Sequence, residues 1–163
     1  MIEMDWMEEL AVAGNVLLAM LLGGLMGWER EAAEKPAGLR THMLVAGAAT
    51  LFVSLGGALI VHFNATENEQ IIRADPIRIV EAILVGVSFL GAGTIIRPGG
   101  GSGRVHGLTT AASLLLAASI GISVAVGKYL LAVCVALTGL AILRLMNRLE
   151  CKADLKPQPE SNP

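Results

Sequence analysis

Five apolar runs govern what this chain can fold into: Leu10–Trp28, Met43–Phe63, Ile77–Ile96, Gly107–Val126 and Tyr129–Met146, each 18–21 residues long. A helix needs about 20 residues to cross a hydrocarbon core of about 30 Å. Each run is therefore long enough to span a bilayer with some tilt. Composition agrees, with 54% hydrophobic and 16% charged residues, against about 25% charged in ordinary soluble domains. Nineteen glycines and only three Phe, two Trp and one Tyr point away from a large soluble core. The net charge of −2 argues against a nucleic-acid partner. Cys134 lies in an apolar run and Cys151 just after one, with no metal-binding or disulfide spacing.

The expected fold is an all-α, polytopic membrane bundle of five transmembrane helices over residues 1–146. A short cytoplasmic tail, 147–163, follows, and its end (KPQPESNP) reads as disordered. Only Gly127 and Lys128 separate the fourth and fifth runs, which predicts a tight helical hairpin. The first ten residues, MIEMDWMEEL, contain no Lys or Arg. They lack the basic region of a signal peptide, so the first run is expected to remain as a span.

Lysine and arginine set the expected orientation. Arg30, Lys35, Arg40, Arg97, Arg104, Arg144, Arg148, Lys152 and Lys156 fall on one side; Arg73, Arg78 and Lys128 fall on the other. The richer side is cytoplasmic by this rule. It holds the C-terminus, and the N-terminus faces outward.

Small residues recur every four positions in three runs: Asn15, Ala19, Gly23 and Gly27; Ala46, Thr50, Ser54 and Ala58; Thr109, Ser113, Ala117, Gly121 and Ala125. That spacing keeps them on one helical stripe, and small stripes let helix backbones approach closely in lipid. Gly23, Gly27, Gly91, Gly93 and Gly121 are the expected packing glycines. The stripes also leave room for a homodimer or for other membrane proteins as partners.

The strings EREAAEKPAGLRTHMLVAGAATLF, DPIRIVEAILVGVSFLGAGTIIR and VHGLTTAASLLLAASIG resemble the MgtC/SapB family of bacterial inner-membrane proteins. AGLRTH, FLGAG and GLTTAA are specific in combination. The resemblance implies a membrane domain of about five spans and a link to growth and virulence under magnesium limitation. It further implies action by binding other membrane machinery, ATP synthase included, with magnesium transport as the alternative. Three departures stand out. No soluble domain is expected after the last span, His106 replaces an arginine, and Glu81 stands where a neutral residue is usual.

The charges crowd into GWEREAAEKPAGLRTH, residues 27–42. Its helical composition predicts that the first span continues to Pro36, with Glu31 and Lys35 as an i,i+4 pair. Read structurally, these charges only stop the chain at the cytoplasmic surface. Read functionally, Glu29, Arg30, Arg40 and Thr41 build half of a polar cytoplasmic site, and Arg104, His106, Thr109 and Thr110 build the other half. In that reading Arg40 bonds Glu29 or a carbonyl of the third loop, leaving Arg30 and His106 open to a ligand. Thr109 and Thr110 are also candidates to cap the fourth helix.

On the outer side, Asp75 suits an N-cap before Pro76. Arg78 and Glu81 are expected to pair, since an unpaired carboxylate inside a span is costly. Outward cation entry is the alternative. His42 and His62 suggest no metal site. Nothing in the chain has the pattern of an enzyme, and no cofactor is expected; Mg²⁺ stays open as a cargo.

Overall fold

The computed structural model describes residues 6–66, 75–95 and 106–154. These residues form five helices: α1 (Trp6–Ala32), α2 (Leu39–Thr66), α3 (Pro76–Thr94), α4 (Leu108–Ala125) and α5 (Tyr129–Asp154). All five are long and apolar enough to cross a membrane. The bundle is all-α, with no strand among the described residues. Consecutive helices run up and down, so α1, α3 and α5 end where α2 and α4 begin.

Helix α4 is central. It buries 44% of its span, whereas α3 buries 17%. Ala19, Leu22 and Met26 of α1, Ala46 and Ala49 of α2, Leu114, Ala117, Ala118, Ile120 and Val124 of α4, and Ala132 and Ala136 of α5 make the core. Lipid is as apolar as these side chains, so close packing rather than exclusion from water holds such helices together. The alanines serve that purpose by admitting a neighbouring backbone.

The small stripes do meet, at a fixed register. His42 of α2 bonds Ser113 of α4, and Thr50 bonds the carbonyl of Gly121. Both pairs differ by 71 positions, so α2 and α4 run parallel with two polar rungs two turns apart, about 12 Å along the axis. Between them Ala46 and Ala117 are fully buried. A Cβ on Gly121 would collide with the Ala46 carbonyl oxygen, and one on Gly23 would lie 2.8 Å from both Ala46 Cβ and His42 O. A Cβ on Gly27 would lie 2.8 Å from Leu39 Cα, and one on Gly91 would lie 3.2 Å from Ala111 Cβ. Gly93 is different from expectation: a Cβ there meets nothing within 4 Å among the described residues. Gly47 and Gly139, absent from the expected set, are tight against Met20 and Leu116.

Two ends are set by local chemistry. Asp75 has extended backbone, and its carboxylate accepts a hydrogen bond from Ile77 N–H at 2.9 Å, with Pro76 opening α3. Helix α1 stops at Ala32, short of Pro36. Glu34 turns left-handed (φ 53°), and Lys35 N–H closes back on Arg30 O at 3.0 Å. This early stop removes the expected Glu31–Lys35 pair. Glu31 Oε2 instead accepts the Leu39 N–H at 2.8 Å, filling one of the unpaired donors at the start of α2.

Candidate functional site

The C-terminal ends of α1, α3 and α5 and the N-terminal ends of α2 and α4 gather at one end of the bundle. A buried polar cluster lies there. Arg30 is 2% exposed, and Glu29 is 9% exposed. Arg30 Nε donates to Glu29 Oε2 at 2.6 Å and Nη2 to Oε1 at 2.9 Å, a two-pronged ion pair between adjacent residues. Neighbouring positions on a helix diverge by 100° and rarely face each other. Here both long side chains bend into the same buried space at the end of α1. Neutralising one another is what makes their burial tolerable, since an uncompensated charge in such a place is costly.

His42 is the second element, and it is fully buried. Its Nδ1 lies 2.9 Å from Gly38 O, which can only accept, so Nδ1 carries a hydrogen. Nε2 lies 2.9 Å from Ser113 Oγ. Ser113 Oγ also lies 2.8 Å from Thr110 O. With a neutral ring, the single hydroxyl hydrogen of Ser113 has two acceptors. Thr110 itself is buried on α4. The chain thus connects the AGLRTH and GLTTAAS strings through His42 and Ser113.

The sequence-derived site is divided by this geometry. Glu29, Arg30 and Thr110 are inside, and Thr41 is half-buried. Arg40, His106 and Thr109 are exposed. Arg40 lies on the open side of α2 and does not bond Glu29, whose two oxygens accept from Arg30; the alternative partner, a carbonyl of the third loop, falls largely outside the described residues. Arg30 is correspondingly not open to a ligand. Neither threonine caps α4: its N-cap is Gly107 (φ 93°), without a side-chain cap. Only glycine fits there, since a Cβ would strike the Thr94 carbonyl at the end of α3. Arg104 lies outside the described residues.

At the opposite end, Asp75, Arg78 and Glu81 are exposed, and the only ion pair among the described residues is Arg30–Glu29. The expected Arg78–Glu81 pair is therefore not formed. Arg78 lines a groove between α2 and α3, and Glu81 is not among the lining residues. No group of three or more metal-ligating side chains occurs among the described residues.

His42 and Ser113 were missed as a pair by sequence reasoning. A signal existed: His42 is one turn before Ala46 and Thr50 on their stripe, and Ser113 is on the stripe of Ala117 and Gly121. Spacing identifies a face, but not the neighbour that the face meets.

The model of the MgtC family matches residues 16–152 of the chain. Protein MgtC of Salmonella typhimurium is 41% identical over 115 residues, covering 71% of this chain and 43% of that protein. Protein SrpB of Synechococcus elongatus is 35% identical over 135 residues, 77% of this chain and 67% of that protein. The putative magnesium transporter YhiD of Escherichia coli is 31% identical over 135 residues, 83% of this chain and 60% of that protein. The chain spans about half the length of the first of the curated relatives it matches. No solved structure matches it. The chain belongs to the MgtC family.

Proposed function

We propose that this MgtC-family chain is a regulatory or accessory protein of the bacterial inner membrane that binds other membrane proteins during adaptation to low magnesium. On this reading it is not an enzyme. The observation that carries it is the state of Glu29. Mg²⁺ keeps an octahedral oxygen shell and is usually held by one or two carboxylates. Glu29 is the buried carboxylate of the described bundle, and Arg30 occupies both of its oxygens. The core beside it is alanine, methionine and branched aliphatics. Those features favour a scaffold over a cation path.

The buried cluster then has a positioning role. It fixes the starts of α2 and α4 against the end of α1, and so holds an outer rim of Arg40, His106, Thr109 and Arg144, all exposed. That rim is the surface offered to a partner. The excess of lysine and arginine in the segments at this end supports a cytoplasmic orientation, with the N-terminus outside. Homodimerisation through unoccupied small-residue faces is compatible with the same scheme.

A second reading is magnesium transport, favoured by the name of the Escherichia coli relative. The experiment that separates the two is Mg²⁺ flux into liposomes containing only this protein, followed with an entrapped indicator. Flux equal to that of protein-free vesicles is expected. Uptake that scales with protein would overturn the accessory reading. Growth complementation at low magnesium tests the rim: Arg40→Ala should fail to complement while inserting normally, and Lys35→Ala should complement. Full complementation by Arg40→Ala would leave the rim without a role.

A further inference from the structure

We propose that the groove between α2 and α3 binds one anionic phospholipid, with an acyl chain along the groove and the phosphate on Arg78. The two helices meet closely where Gly56 faces the Ile79 side chain. The space between them is about 730 Å³ and is lined by Phe52, Leu55 and Leu59 of α2 and by Arg78, Ala82 and Gly86 of α3, among others. Arg78 is the one charged residue in the lining.

Length guides the choice of occupant. The α3 lining runs from Arg78 to Leu90, about 18 Å at 1.5 Å per residue. That is close to one leaflet of a hydrocarbon core about 30 Å thick. The groove is open along its side and matches one acyl chain in length; a second copy of the chain is the competing occupant, and the cross-linking arm of the test addresses it.

Charge selects the headgroup. Arg78 lies two residues after Pro76, where α3 begins and headgroups are in reach of a long side chain. It has no ion-pair partner among the described residues. Asp75 is engaged by the Ile77 N–H, and Glu81 is absent from the lining. A guanidinium matches phosphate oxygens with paired hydrogen bonds. Ordinary lipid contact would show no headgroup preference; a groove with Arg78 at its mouth does. The inference is independent of whether the protein regulates or transports.

The test is native mass spectrometry of the full chain released from nanodiscs containing equal phosphatidylglycerol and phosphatidylethanolamine. The wild type should retain one lipid, with phosphatidylglycerol favoured several-fold. Arg78→Gln should bring the two lipids to parity, and Glu81→Gln should leave the preference intact. Gly86→Phe should lose the retained lipid of either kind. A Cβ at Gly86 meets nothing within 4 Å, so the new side chain enters open groove. Ala82→Leu fills the same space by a smaller change and should act in the same direction. Equal retention by the wild type, Arg78→Gln and both groove-filling variants would overturn the proposal. So would efficient disulfide cross-linking of Gly86→Cys chains into dimers in membranes, which would put a second copy at the groove.

Discussion

Along α2, the face turned to α4 carries His42, Ala46 and Thr50, all fully buried, whereas the face turned to α3 carries Phe52, Leu55 and Leu59, all substantially exposed. The first face has small residues and two polar rungs; the second has large aliphatic and aromatic groups without rungs. Apolar side chains gain little by leaving lipid for a protein neighbour. What makes a close helix seam is room for the backbone to approach and a polar group that finds its partner there. The α2–α4 seam has both; the α2–α3 flank has small residues such as Gly56, Ala82 and Gly86 but no side-chain hydrogen bond between the helices among the described residues.

The largest loss on the seam side is expected at its closed end. Arg30→Ala leaves the Glu29 carboxylate in its buried position without its guanidinium, an effect of about 3–5 kcal/mol for a broken buried pair. Unfolding in detergent followed by fluorescence should show it. Replacing both residues together, Glu29→Gln with Arg30→Gln, should restore much of the loss. If the single and double variants melt alike, the pair is not what tolerates burial. Next comes Gly121→Leu, which drives a side chain into the Ala46 backbone. Overpacking of this kind costs about 1–3 kcal/mol or more, seen as a lower melting midpoint.

How much of this was legible follows from the same contrast. Span length is dictated by the bilayer, so the five helices could be read directly from apolar run lengths. The stripes could be read too, because spacing of four defines a face. Their offset of 71 positions could not, since nothing local says which face meets which. Glu29 and Arg30 were singled out, but their mutual pairing runs against the usual divergence of adjacent helical positions. Gly93 resembles Gly91 in the string FLGAG, yet among the described residues only Gly91 faces a close neighbour. Arg40 is expected to meet Glu29 because a charge at a helix end seeks a partner, yet it lies on the open side of α2 while Arg30, adjacent to Glu29, turns inward to it.

Smaller effects sharpen the comparison. Thr50→Val removes the hydroxyl that lies 3.0 Å from Ala46 O and 2.9 Å from Gly121 O. Net losses of about 1 kcal/mol are usual for one such bond, and the same melting assay reads it. Ser113→Ala should cost about 1–3 kcal/mol, because it strands the buried Nε2 of His42. On the open flank, Gly86→Leu should change the melting midpoint least, with a shift equivalent to within about 0.5 kcal/mol. A destabilisation by Gly86→Leu as large as that by Gly121→Leu would erase the distinction between the seam and the flank.

The constant offset between α2 and α4 has a mechanical consequence. A screw step of one residue along the other helix would turn the contact face by 100° and carry both rungs out of reach at once. Register is recovered only after about one full turn, a step of about 5.4 Å. The seam therefore behaves as a ratchet tooth rather than a slide bearing. A screw displacement of α4 against α2 by less than a turn breaks both rungs together.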